Sequence, residues 1–329
     1  MGEGPESGPS PSPSHKEVKT RSRIPPQWRR RSFWWETLEA YIYLLPAILI
    51  LGTFVIYPFF NAFYLSFFKV YPYKFGIPFY KQYVGFKNFY FLFFRDRFFL
   101  QAVKQTAIYV GVSVPVTLGL ALGLATLLNR GLKLRPFYRL AYFLPYITPV
   151  VAISMVWQWI FNWRYGLLNY FLKFFGVNLI NWLEDPHYAL PAVIIMNVWR
   201  FVGYQAIILL AGLQGIDRMY YDAAKVDGAS GWQVWRHVTF PLLTPQIFFV
   251  FIISLIGSFK IFEEIFILFS GTPGPMRSAM TIVYYIFDQG FQRFHFGIAA
   301  AASVVLFLII FVLTLFQMTV TQRWVHYER

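Results

Sequence analysis

Residues 217–245 read Asp217-Arg-Met-Tyr-Tyr-Asp222-Ala-Ala-Lys-Val-Asp227-Gly228-Ala-Ser230-Gly-Trp-Gln233-Val-Trp-Arg-His-Val-Thr-Phe-Pro241-Leu-Leu-Thr-Pro245, and from Phe240 the chain stays apolar almost to Phe269. Asp217 is a helix-capping residue type, so a short helix is expected from it to Val226, and Asp227-Gly228 is a turn signal that ends that helix. Ser230 followed three residues later by Gln233 has the capping-box pattern and opens a second short helix, which Pro241 closes as the apolar run begins. The pattern predicts helix, turn, helix in a polar connector, 215–241, joined to an apolar helix, 240–269.

Outward from this stretch, five more apolar runs, 40–68, 102–128, 138–161, 190–213 and 296–320, are long enough for the roughly 20 helical residues that cross about 30 Å of hydrocarbon. The composition agrees, with 57% hydrophobic residues and only 13% charged, against about 25% charged in a soluble domain. The fold class expected is an all-α integral membrane protein of six transmembrane helices. Interior prolines (Pro46, Pro58, Pro115, Pro145, Pro149) predict kinks, because bundle neighbours can re-satisfy the freed carbonyls. Aromatic residues at 22% exceed what interfacial belts need and are read as packing or as the mark of a hot-growing source. The net charge of +14 sits in short runs between spans rather than on one face, which excludes a nucleic-acid surface. The absence of cysteine excludes disulfides and thiolate metal sites.

Residues 1–35 are Gly, Pro and Ser followed by a basic cluster (Lys16, Lys19, Arg21, Arg23, Arg29, Arg30, Arg31), and the reading is a disordered basic cytoplasmic tail ahead of a transmembrane domain at 36–329. With both termini cytoplasmic, the inner segments hold 16 Lys and Arg and the outer loops 10, in keeping with the bias of basic residues to the inside. The first outer loop, with Lys69, Lys74, Lys81, Lys87, Arg95 and Arg97, runs against that trend. Residues 167–175 have helical apolar spacing and read either as a short interfacial helix or as ordinary loop packing.

The connector has two readings on its local chemistry. Small Ala223 and Ala224 with the large Tyr220, Tyr221, Trp232 and Trp235 make a docking knob for a partner, or the segment is a re-entrant turn packed on its own helices. The pattern Asp222-Ala-Ala, Asp227-Gly228-Ala and Phe240-Pro241-Leu-Leu-Thr-Pro245 resembles the EAA loop of binding-protein-dependent ABC import permeases. Further motifs, Ala40-Tyr-Ile-Tyr-Leu-Leu-Pro46, Phe143-Leu-Pro145-Tyr, Trp157-Gln-Trp-Ile-Phe161, Ser258-Phe-Lys-Ile-Phe262 and Phe296-Gly-Ile-Ala-Ala-Ala, are similar to the maltose and glycerol-phosphate permease branch. The resemblance covers the chain from Ala40 onward and implies the type I importer permease fold. It implies that Tyr221, Asp222, Ala223, Ala224, Asp227, Gly228 and Pro241 couple to a separate ATPase. It departs from the family pattern at Asp222, where the family has Glu, and at Asp217, where it has Pro.

Ionisable groups inside apolar spans are costly and mark candidate path residues. Asn197, Arg200 and Tyr204 fall on one helical face, and Lys260 stands three and four residues before Glu263 and Glu264, so an ion pair within one helix is expected. By resemblance, a solute site would draw on Asn197, Arg200, Phe201, Tyr204, Phe259, Lys260 and Glu263; structural ion pairs between helices are the alternative. Lys104 reads as a snorkelling residue.

Five scattered histidines offer no metal spacing, and no glycine-rich phosphate loop occurs, so ATP and Mg2+ are expected on a partner ATPase and no cofactor on this chain. The partners implied are a second permease subunit forming a heterodimer, two ATPase subunits, an extracytoplasmic solute-binding protein and membrane lipid. The function expected is sugar import by alternating access, with a glycerol phosphate, phosphodiester or polyol as the alternative cargo. An intramembrane enzyme would need Lys260 with Glu263 or Glu264 as its catalytic pair.

Overall fold

The computed structural model describes residue 2 and residues 31–74, 76–130 and 133–324. Apart from Gly2 and its last five residues, the tail read as disordered lies outside them, as does Arg329 near the other terminus. The chain divides into two units, 1–58 and 59–329. In the first, α1 (Arg31–Leu51) carries Pro46 inside it and runs into a π-helical turn at Gly52–Ile56. The boundary falls near the start of α2 (Tyr57–Ser66), and the helical stretch Trp34–Ser66 is long and apolar enough to span.

In the second unit a hairpin follows, β1 (Phe68–Lys74) antiparallel to β2 (Ile77–Tyr83), with Tyr71 opposite Tyr80. Gly76 supplies the positive φ of its turn. The hairpin is held where Asn88, in α3 (Lys87–Phe94), donates to Ser66 O at 2.8 Å and Phe68 O at 3.0 Å. The long helix α4 (Arg97–Asn129) starts at Asp96, whose buried carboxylate accepts from the Phe98 and Phe99 amides and from Tyr285 Oη at 2.6 Å. Such a cap satisfies orphan amides at a helix start.

The unit is organised on α4 and α8 (Pro186–Gly215), whose facing residues are small and buried. On α4 small buried residues run at steps of four from Ser113 through Thr117 and Ala121 to Ala125, a spacing that lets membrane helices approach closely, while Thr106 accepts from the Ile282 amide. Two apolar cores result. One gathers Phe99, Tyr109, Trp157, Met196, Ile265 and Tyr285, and the other gathers Ala121, Ala125, Leu209, Leu213, Leu243 and Val250.

Two expected spans differ from the prediction. The run 138–161 is two helices, α5 (Arg135–Ile147) and α6 (Val150–Ile160), bent by 97° at Thr148-Pro149. Pro149 cannot donate to the helix before it, and α6 turns to meet α12 (Glu263–Leu268), where Gln158 Nε2 donates to Ile267 O at 2.7 Å and Leu268 O at 3.1 Å. Pro46, Pro115 and Pro145 sit inside continuous helices. The run 240–269 likewise ends early, because α11 (Phe240–Phe259) stops at Lys260 and a new helix starts at Glu263. Among the described residues five helices are long and apolar enough to cross a membrane, six if α5 and α6 count as one span.

The segment 167–175 does contain a helix, α7 (Leu167–Lys173). It rests Leu168 and Leu172 on the larger core, and its buried Asn169 bonds Trp163 O, Ile180 N and O, and Trp182 Nε1. The chain closes with α13 (Ile282–Phe287) and α14 (Phe296–Trp324).

Gly203 is where α5 meets α8: a Cβ there would strike the Tyr142 carbonyl. Gly203→Val is therefore expected to lower stability by about 1–3 kcal/mol, read as a fall in thermal unfolding temperature in detergent. Gly119→Ala, where a Cβ meets nothing within 4 Å, should leave it unchanged or slightly higher.

Candidate functional site

Beside the larger apolar core, at the middle of α4 and α8 and the C-terminal end of α11, lies a cavity of about 540 Å3. Tyr109, Ser113 and Thr117 come from α4, Asn197, Phe201, Tyr204 and Gln205 from α8, and Ser254 and Ser258 from α11. Lys260, Glu263 and Glu264 line it from the break after α11. The wall is amphipathic. Tyr146 of α5 stacks on Tyr204 with ring centroids 4.1 Å apart and planes at 11°. Gln205 Nε2 donates to Ser254 Oγ at 2.8 Å, tying α8 to α11, while Asn197 Nδ2 donates back to Val193 O at 3.1 Å. The carbonyl oxygens of Asn197 and Gln205 are buried and take no hydrogen bond within the described chain. Buried polar atoms of this kind are costly unless a partner meets them.

Five of the seven path residues read from the sequence, Asn197, Phe201, Tyr204, Lys260 and Glu263, stand on this wall. Phe259 instead packs into the larger core, 7% exposed. Arg200 donates from Nη1 to Glu264 Oε1 at 2.7 Å, with both side chains largely buried. The expected pairing of Lys260 with Glu263 or Glu264 along one helix does not form, because the helix ends at Lys260, whose amide reaches Gly257 O and Ser258 O. Glu263 and Glu264 occupy the first turn of α12, where a helix N-terminus favours carboxylates. Sequence reasoning left out Tyr109, Ser113, Thr117, Gln205 and Ser254; the repeat of polar residues at steps of four on α4 is the signal that could have found the first of them.

The connector forms at the far end of these helices. Asp217 caps α9 (Arg218–Val226), accepting from the Met219 amide at 2.9 Å. The Gly228 amide reaches Lys225 O and the Ala229 amide reaches Ala224 O, with Gly228 at φ +72, the glycine-terminated helix end that L side chains adopt poorly. Ser230 and Gln233 make both bonds of the capping box at the start of α10 (Gly231–Val234). Pro241 does not close that helix. The turn Trp235–Thr239 widens to π-helical, the Phe240 amide bonding Trp235 O, and the helix continues from Gly231 to Phe259. A π turn absorbs the donor that proline lacks.

On α9, Asp222 and Ala223 are exposed and Ala224 is buried. Asp222 pairs with Lys225 at 2.8 Å, and this hydrogen bond, with the lysine charge, holds the Asp222 carboxyl below its usual range. Tyr221 Oη accepts from Thr239 Oγ1 at 3.4 Å, joining α9 to the π turn. Asp227 and Gly228 are exposed at the tip, and Trp232 is 65% exposed, stacked on Trp235.

Membrane-length helices around a polar mid-span cavity, with a capped helical knob at one end, define a multi-pass membrane transport component. Residues 116–326 match the model of the binding-protein-dependent transport system inner membrane component family, and the chain belongs to that family. It is 33% identical over 302 residues to the probable ABC transporter permease protein YesP of Bacillus subtilis, covering 91% of this chain and 96% of that protein. It is 34% identical over 284 residues to the lactose transport system permease protein LacF of Rhizobium radiobacter, covering 85% and 93%. A solved bacterial alginate ABC transporter, in complex with an alginate pentasaccharide-bound periplasmic protein, has a chain matching with TM-score 0.78 at 25% identity, covering 89% of this chain and 96% of that one. The chain is thus a permease subunit of an ABC importer, a transport protein rather than an enzyme.

Removing one member of a buried ion pair leaves the other charge uncompensated. Glu264→Ala is expected to cost about 3–5 kcal/mol, measured by denaturation of the purified protein, and the double variant Arg200→Met with Glu264→Leu should recover most of that loss.

Proposed function

We propose that the chain lines the translocation path for an uncharged sugar, mono-, di- or oligosaccharide, and that the solute occupies the cavity between α4, α8 and α11 during alternating access. The observation that carries this reading is the cavity itself. Its volume of about 540 Å3 falls within the roughly 300–1,000 Å3 of small-molecule sites. The stacked Tyr146 and Tyr204 rings offer a face to the C–H surface of a sugar ring, and Asn197, Gln205, Ser254 and Ser258 offer hydroxyl partners. The lactose permease relative and the alginate importer support a carbohydrate. A phosphate ester fits the wall less well. Arg200 is engaged by Glu264, and Lys260 is the one basic side chain among the described lining residues.

In the same reading, Tyr221, Asp222, Ala223, Ala224, Asp227 and Gly228 enter a cleft of an ATPase, and Pro241 lies where the connector joins the span. Two ATPase copies hold ATP and Mg2+, a second permease subunit completes the path as a heterodimer, and an extracytoplasmic solute-binding protein delivers the sugar. The connector and both termini face the cytoplasm of a cell inner membrane, supported by the basic cluster ahead of the first span. An intramembrane enzyme reading loses the pair of Lys260 with Glu264, since Glu264 is held by Arg200, and the family match supports transport over the remaining pair with Glu263.

Uptake of labelled sugar into proteoliposomes holding the complete transporter should require ATP; turnover of solute without ATP contradicts the importer reading. Tyr204→Ala should lower uptake about threefold to tenfold, the worth of an aromatic stack, while the ATPase still copurifies. Unchanged uptake across a sugar panel would remove Tyr204 from the site. Gly228→Val, strained at φ +72, should break the link between ATP hydrolysis and uptake or prevent assembly, and an assembled complex with normal transport would count against docking at this turn.

A further inference from the structure

The first outer loop departs from the inside bias of basic residues, and transport does not account for it. The fold brings three of that loop's six basic residues, Lys69, Arg95 and Arg97, together with Arg293 and His295 of a later turn. Two adjoining hollows, of about 580 and 630 Å3, share Phe91, Arg293, His295 and Ile298 as walls, so they form one groove. Lys69 enters it from β1, Arg95 and Arg97 from the junction of α3 and α4, and Arg293 and His295 from the turn before α14. All five are exposed. Among the described residues only Arg293 has a carboxylate partner, Asp288 at 2.9 Å. The one acid among the described wall residues, Asp96, is engaged by two amides and Tyr285.

The position of the groove selects its occupant. It lies where α4 and α14 begin. The opposite end of α4, at Asn129, stands beside Tyr221 and Trp235 of the connector, and 33 residues of helix separate the two ends by about 50 Å. The groove is therefore at the level where the helix bundle leaves the hydrocarbon, on the side away from the connector. Cations above apolar walls such as Phe91 and Ile298 suit a molecule with a phosphate at one end and a hydrocarbon chain at the other. We propose that this groove binds the phosphate headgroup of an anionic phospholipid, with the acyl chains running down the apolar sides of α4 and α14. Three of the six basic residues of the first outer loop then serve a lipid site rather than run against the topology.

The test uses the complete transporter in nanodiscs of equal phosphatidylglycerol and phosphatidylcholine, with the lipid retained after mild delipidation read by native mass spectrometry. The native protein should retain phosphatidylglycerol in preference, and Lys69→Gln/Arg95→Gln/Arg97→Gln should lose that preference about tenfold. Arg293 is left in place because it holds Asp288. Equal retention of the two lipids, or a preference unchanged in the triple variant, overturns the proposal. Displacement of the lipid by millimolar inorganic phosphate would make the groove a site for free phosphate and also overturns it. In discs of phosphatidylcholine alone the triple variant should match the native protein in binding-protein-stimulated ATP hydrolysis. A loss there would assign the surface to protein docking instead.

Discussion

One ion pair fixes the middle of the structure. Arg200 of α8 and Glu264 of α12 meet at 2.7 Å with little exposure to solvent, and each charge alone would cost several kcal/mol at such a depth. Their pairing holds α12 against α8 across the break at residues 260–262, and so it sets where the cavity wall formed by Lys260, Glu263 and Glu264 stands. The same pairing removes the arginine charge from the path. What remains on the wall is aromatic, hydroxyl and amide chemistry with one lysine and one carboxylate, a surface for a polyhydroxylated solute rather than for an anion.

The second consequence concerns force. Because Pro241 is carried by a π turn instead of ending the helix, the chain is helical from Gly231 in the connector to Phe259, 29 residues or about 44 Å. Ser254 and Ser258 of the cavity wall ride on that helix. A displacement of α10 would be carried along this continuous helix to the cavity wall, and the Gln205–Ser254 hydrogen bond would pass part of it to α8. The connector's own anchors, Tyr221 on Thr239 and Trp232 on Trp235, keep the knob registered to that helix. Interfaces of this kind switch between discrete packings.

Most of the architecture was legible because it depends on local chemistry. Span lengths, the Asp217 cap, the Gly228 turn and the Ser230–Gln233 box follow from neighbours within a few residues, and the family motifs in the connector gave the class. The breaks were not legible. The 97° turn at Pro149 comes with long-range bonds from Gln158 to the carbonyls of Ile267 and Leu268, and the break after Lys260 with the long-range pairing of Arg200 and Glu264, contacts that local sequence does not carry. The site followed the same rule. Asn197 and Tyr204 stood out as polar groups in a span, whereas Thr117, which bonds Ser113 O at 2.6 Å within its own helix, looks alike in sequence whether it faces a cavity or a neighbour. Phe259 was placed on the path by resemblance and packs into the larger core.

The chain contains no cysteine, which makes the central claim directly measurable with Ser254→Cys as the sole thiol of this subunit. In the reconstituted transporter, with its partner subunits free of thiols, a membrane-impermeant thiol reagent should reach this position from one face at rest and from the other when the ATPase is held with ATP bound. Transported sugar should slow the reaction in both states. Labelling from a single face in every nucleotide state, at a rate indifferent to sugar, would contradict a solute path through this cavity.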